Sequence, residues 1–289
     1  MNQQLFYEIA EHRMCIDSPD AEKTARLIPT FHSFRVLEDN TDHLLFSFSG
    51  NQEISIPDRA PNDVMQVDDM SFKVYHSSGN ITVCVTNGNK NHSFNLSEDR
   101  KTVISDFTFS QQYENRFLAY SLRTAYGMAA ANHNTIKLHA SVIEKKGKAL
   151  IFMGKSGTGK STHSRNWIKF VSGCSLLNDD EPIVRLLSNG SVKVYGAPWS
   201  GSTPCYRNES ADVVAFVRLY QNDQNKLIPL KGIQAFASLY QSVAMLRSDN
   251  ENKDRIMRIV SDILKKTPIY RLDNRPDREA VSLTEALMM

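Results

Sequence analysis

Ala149-Leu-Ile-Phe-Met-Gly154-Lys-Ser-Gly-Thr-Gly-Lys-Ser-Thr162 is the stretch that decides the fold class. Its five apolar residues, bounded by a glycine-rich turn, read as a buried strand, and the residues after Thr162 as a helix. The turn matches the pattern G-x-x-x-x-G-K-[ST] in the strand, loop and helix context that the pattern needs. Glycines at 154, 157 and 159 let the backbone curl so that several N–H groups converge on one point, where the helix dipole adds positive potential. Phosphate is the natural occupant. Gly154, Lys155, Ser156, Gly157, Thr158, Gly159, Lys160, Ser161 and Thr162 are therefore the expected contacts of a nucleoside triphosphate, ATP. Lys160 would reach the β- and γ-phosphates and the Ser161 hydroxyl would coordinate Mg²⁺. Lys155, inside the loop, reads as solvent-exposed.

On the C-terminal side stands Leu176-Leu-Asn-Asp-Asp-Glu-Pro-Ile-Val, two aspartates closing an apolar strand. Asp179 lies 19 positions after Lys160, room for one helix and one strand. The chain has no Asn-Lys-x-Asp guanine-reading motif, which disfavours a GTPase switch. Paired carboxylates facing a γ-phosphate divide labour naturally, one holding the metal and one taking a proton from an attacking hydroxyl. Beyond them, Ser188-Asn189-Gly190 predicts a hairpin between strands 181–187 and 192–195, and Val213 to Leu219 reads as another buried strand. Residues 233–246, 255–264 and 279–288 read as helices, with a short strand from Ile269 to Leu272.

On the N-terminal side, residues 136–143 predict a strand and residues 111–131 a helix leading into this domain. Before them, short strands are expected at 34–37, 44–48, 72–75, 81–85 and 93–96. Turns at Ser78-Gly79-Asn80 and Asn87-Gly88-Asn89 make them a meandering antiparallel sheet. His32, His43, His76 and His92 read as exposed strand or loop residues.

Composition sets the remaining bounds. A net charge of +2 over 289 residues supplies no broad basic field, so nucleic acid is not an expected partner. Cys15, Cys84, Cys174 and Cys205 share no C-x-x-C spacing, which implies neither zinc nor a disulfide framework and fits a reducing, cytoplasmic setting. No signal-like start and no bilayer-length apolar run are present, so no membrane association is expected.

Leu138-His139, the hairpin after it, the loop from Gly154 to Thr162, and Asn178-Asp179-Asp180 together resemble the HPr kinase/phosphorylase catalytic domain, in order and with short gaps. That fold is shared with ATP-dependent phosphoenolpyruvate carboxykinase. The resemblance implies an α/β P-loop nucleotide-binding domain over 111–289, preceded by a small β-rich domain over 1–110. It implies Asp179 as general base toward a serine hydroxyl, Asp180 as a magnesium or orienting group, and His139 beside the phosphates. The family's Arg-Gly-Leu-Gly signature is missing; Tyr195-Gly-Ala-Pro-Trp-Ser-Gly-Ser-Thr-Pro stands near its place, as in divergent HPr-kinase-like proteins found near peptide-modification systems. There Trp199 serves either as a substrate-side lip or as core, and Arg207 and Arg218 are candidates for steadying a transferred phosphate.

The expected activity is thus an ATP-dependent kinase acting on a hydroxyl of a protein, peptide or small-molecule acceptor, with homo-oligomerisation open. An ATPase driving a partner or assisting peptide modification, and a nucleotide-sensing module, are the alternatives.

Overall fold

The computed structural model describes residues 2–37, 43–201 and 203–289. The chain forms a mixed α/β protein with two compact units, residues 1–130 with 246–250, and residues 131–245 with 251–289.

The first unit contains β1 (Gln3–Ile9), β2 (His12–Ser18), α1 (Ala21–Leu27), β3 (Arg35–Val36), β4 (Leu44–Ser49), β5 (Asp63–Val67), β6 (Met70–Ser77), β7 (Asn80–Asn87), β8 (Lys90–Leu96), β9 (Thr102–Ser105) and α2 (Glu114–Ala130). Among the described residues its nine strands run in the order β3-β1-β2-β4-β9-β8-β7-β6-β5. The two expected hairpins join β6 to β7 and β7 to β8. The sheet is not a pure antiparallel meander, however, because β2 with β4 and β4 with β9 pair in parallel. The strand expected at 34–37 is only two residues long, since Phe34 closes a 3₁₀ turn from Pro29.

Helix α2 belongs to this unit, so the boundary falls at Ala130 rather than near residue 110. Its buried stripe, Phe117, Leu118, Leu122, Ala125 and Tyr126, explains why. The Tyr126 hydroxyl donates to the Ile9 carbonyl at 3.0 Å, fixing the helix to β1. His92 is also not exposed: it is buried, stacks on Phe107 at 4.4 Å and has Nδ1 2.8 Å from Asp106. The returning segment 246–250 contributes Asp249, 3.5 Å from Arg100, and Ser248, whose hydroxyl lies 3.0 Å from His76 Nε2.

The second unit contains β10 (Thr135–Lys137), β11 (Ala140–Lys145), β12 (Lys148–Met153), α3 (Lys160–Phe170), β13 (Ser175–Asp180), β14 (Ile183–Leu186), β15 (Val192–Tyr195), β16 (Ser210–Gln221), β17 (Lys226–Pro229), α4 (Gly232–Tyr240), α5 (Asn250–Leu264), β18 (Ile269–Asn274) and α6 (Arg278–Glu285). Strand order is β10-β14-β15-β16-β12-β11-β13, with β18 parallel to the second half of β16 and β17 antiparallel to β18. β12 is apolar on both faces because both are covered. Ala149, Ile151 and Met153 pack with Leu239 of α4 and Ile256, Ile259 and Val260 of α5, whereas Leu150 and Phe152 pack with Trp167 of α3 and Val281 of α6. Period-two alternation thus feeds two separate cores.

Two elements end where local pattern would continue them. The strand expected at 136–143 is split at Leu138-His139 into β10 and β11, and the helix expected at 233–246 stops at Tyr240. Both breaks have one cause. Leu138 bridges Val243, the His139 N–H donates to the Ser242 carbonyl at 2.7 Å, and the Ala244 N–H donates to the Lys137 carbonyl at 2.9 Å, so each segment takes the other as a strand partner.

Candidate functional site

β12 delivers Gly154 at its C-terminal end, and α3 begins at Lys160. The loop between them needs its glycines: 154, 157 and 159 have φ of 158°, 80° and 93°. A Cβ on Gly154 would also lie 2.3 Å from Thr158 Oγ1. Among the described residues the N–H groups of Ser156, Gly157, Gly159, Lys160, Ser161 and Thr162 have no backbone acceptor, as a helix start requires. Together with the helix dipole they form a positive concavity.

A cleft of about 360 Å³ opens above this loop. His139, Lys160, Ser161, Arg165, Asp179 and Asp180 line it among others. Antiparallel pairing of β11 with both β12 and β13 makes β13 parallel to β12, so the acidic pair ends on the same side as the loop. The Ser161 hydroxyl donates to Asp179 Oδ1 at 3.0 Å. Asp180 turns instead to His139, with Oδ1 3.0 Å from Nδ1. His139 Nε2 lies 3.0 Å from Lys160 Nζ, which also donates to the Gly154 carbonyl at 3.0 Å. Burial lowers the Lys160 pKa, while Asp180 and Asp179 hold it up.

His139, Lys160, Ser161, Asp179 and Asp180, all singled out from the sequence, line this one cleft. The sequence reading sets Ser161 and Asp180 at a metal; in the structure the side chain that Ser161 contacts is Asp179. Asp179 is 4% exposed, and the Asp180 side chain 25%. Asp180 also carries φ of 146°, unusual for a residue with a side chain. No sequence signal announced that conformation. It accompanies the bridge from Asp180 to Ser200 and the close passage of Gly201, where a Cβ would lie 3.1 Å from the Asp179 carbonyl oxygen.

Lys155 is exposed and lies outside the cleft lining. Trp199 is buried, its ring 5.4 Å from Lys137 Nζ, and Lys137 pairs with Glu181 at 3.0 Å. Trp199 is therefore core, while Ser202 of the same segment falls outside the described residues. Arg207 is tied to Ser175 and Leu176 at the start of β13, away from the cleft. Arg218 is buried. Arg165, which sequence reasoning passed over, reaches back from α3 to the Ser161 carbonyl and stands in the lining. Its spacing of four residues from Ser161 was the available signal.

The donor set suits a hard cation: the Ser161 hydroxyl and the Asp179 carboxylate are both oxygen ligands. Among the described residues no group of three or more His, Cys, Asp or Glu is placed to hold a metal by itself, so such a cation would need a ligand that brings oxygens of its own. All four cysteines are free. Among the described residues no helix is long and apolar enough to cross a membrane.

Fold and cleft define a mixed α/β protein with a glycine loop and an acidic pair at the carboxyl ends of parallel strands. Residues 108–275, more than half of the chain, match the family model described as SynChlorMet cassette protein ScmC, and the chain belongs to that family. No curated protein matches it.

Proposed function

We propose that the chain is an ATP-dependent phosphotransferase of HPr-kinase type, moving the γ-phosphoryl group to a hydroxyl of a protein, peptide or small molecule. The observation that carries this reading is the convergence of Lys160, Ser161, Asp179, Asp180 and His139 above a loop in which the N–H groups of Ser156, Gly157, Gly159, Lys160, Ser161 and Thr162 have no backbone acceptor. The loop amides and the Lys160 ammonium bind the triphosphate. Ser161 and Asp179 hold Mg²⁺, which when bound offsets charge on the phosphate oxygens.

Asp180 is the residue we assign to proton handling, in place of the buried Asp179. It is the more accessible carboxylate, and His139 orients it. Its carboxylate takes the acceptor's hydroxyl proton, the acceptor oxygen bonds to the γ-phosphorus, and the bond to the β-phosphate oxygen breaks to release ADP. Fixed positive charge around the loop stabilises the transferring group without reorganisation. The family is named for a cassette protein, so the acceptor is sought first among the other products of that cassette.

The test is incubation with γ-labelled ATP and Mg²⁺, alone and with candidate acceptors. Label on an acceptor, lost in Asp180→Asn, is the expected result. Free phosphate without labelled acceptor would replace the reading by a partner-driven ATPase. Failure to bind ATP at all would remove it.

A further inference from the structure

Arg218 lies in β16 directly opposite Met153, the last residue before the glycine loop. Its side chain is almost sealed from solvent, yet among the described residues no carboxylate pairs with it. The guanidinium spreads instead over the C-terminal end of α4. Nε donates to Ser238 Oγ at 2.8 Å, and Nη2 donates to the Ser238 carbonyl and to Ser242 Oγ, the latter at 2.7 Å. A helix C-terminus carries partial negative charge, which compensates a buried cation in place of an acid. Burial still pulls the guanidinium pKa below its ordinary value, and its charge is felt at Lys160.

The turn that Arg218 pins has a second contact. The Ser242 carbonyl accepts the His139 N–H at 2.7 Å. His139 in turn stands with Nε2 3.0 Å from Lys160 Nζ and Nδ1 3.0 Å from Asp180 Oδ1. We propose that Arg218 is a positioning residue of the cleft: it locks the last turn of α4 to the strand beneath the glycine loop and, through the Ser242 carbonyl, sets His139 between Lys160 and Asp180. Its fork serves two serines at once, which a lysine, with one nitrogen, does not reproduce. The kinetic consequence rests on the phosphotransferase reading; the positioning itself does not.

The deciding experiment is a long-range ¹H–¹⁵N spectrum of His139 in the full chain at about pH 8. With Nδ1 facing a carboxylate and Nε2 facing an amine that donates, the wild type holds its proton on Nδ1 in one tautomer. Arg218→Lys is expected to give averaged tautomers in a folded protein. Should that variant fail to fold, Ser242→Ala, which removes one arm of the fork and leaves the carbonyl, takes its place in the same spectrum. A single Nδ1–H tautomer kept in the folded variant overturns the proposal.

Kinetics supply a second readout. Arg218→Lys is expected to lower kcat about 10- to 100-fold while KM for ATP stays within about threefold. Combined with His139→Ala, it should cost nothing beyond His139→Ala alone, since both act through one group. Losses that multiply would also overturn the proposal. A wild type that binds no ATP would sink the phosphotransferase reading and leave the spectral test standing.

Discussion

The Ser161 hydroxyl donates to Asp179 Oδ1 at 3.0 Å, joining the first turn of α3 to the end of β13 across 18 residues of chain. Two hard oxygen groups at that separation are one displacement away from sharing a cation between them. Asp180, the neighbour in sequence, points to His139 instead.

The two aspartates should therefore separate experimentally. Asp179→Asn is expected to raise the Mg²⁺ concentration needed for half-maximal MgATP binding by about tenfold or more. Asp180→Asn should leave that concentration within about threefold while slowing transfer by about 10²- to 10⁴-fold. Calorimetry across a Mg²⁺ series, with turnover measured on the same samples, reads both. The opposite assignment would be restored by a metal dependence that moves only in Asp180→Asn.

Asp180 makes a further prediction, about stability. Its φ of 146° lies where glycine is at ease and other residues are not. Such strain costs about 1–3 kcal/mol, while glycine's extra freedom in the unfolded chain costs about 0.5–1 kcal/mol. Asp180→Gly and Asp180→Ala both lose the contact to His139, so comparing them isolates the backbone. The glycine variant should be the more stable by about 1 kcal/mol, the reverse of the usual order, in urea unfolding. An alanine variant that is the more stable would show the backbone to be relaxed there.

His163 predicts a pH dependence. It is buried in α3 with its ring edge-to-face on Phe152 at 4.6 Å and Nε2 3.3 Å from Thr284 Oγ1. Burial depresses its pKa from 6.5 to about 4. Between those values the unfolded chain binds a proton that the folded chain refuses. Stability is therefore fully present above pH 6.5 and is lost as pH falls toward 4, at up to about 1.4 kcal/mol per pH unit. Chemical unfolding at pH 7, 6 and 5 should show that slope, and His163→Gln should flatten it. A slope unchanged by the substitution would assign it to other groups.

What was legible in the sequence was local. β12, the glycine loop, α3 and the hairpin around Asn189 each announce themselves within about fifteen residues, through an apolar run, a turn residue or a helix start. What was missed depends on distant partners. The apolar run Val243-Ala-Met-Leu continues a helical pattern, and it is the pairing of Val243 and Ala244 with Leu138 and Lys137 that takes it out of the helix. The parallel pairings of β4 leave no trace in β4 itself. Nor does His92, set among polar neighbours in sequence, reveal the aromatic pocket that Phe107 and Tyr113 build around it. At the cleft, the set of lining residues was largely readable because motif spacing is local. Which aspartate meets Ser161 and which meets His139 was not, because strand alternation sends adjacent side chains to different partners.

The buried pair of Lys137 and Glu181 carries the last prediction. Both side chains are about 5% exposed, 3.0 Å apart, and each is two positions or fewer from a cleft residue: Lys137 precedes His139 and Glu181 follows Asp180. Removing one partner takes the opposite charge away from a group held in a low-dielectric interior, so Lys137→Met or Glu181→Leu alone should destabilise the second unit by about 3–5 kcal/mol. Replacing both removes the charge imbalance. The double variant should therefore recover most of the loss in thermal or urea unfolding, with strong non-additivity between the two sites. If the pair were held for its attraction alone, the double variant would be no more stable than the singles. Recovery would identify the pair as a device that the interior tolerates only when complete, which fits its place beside His139 and Asp180 along the chain.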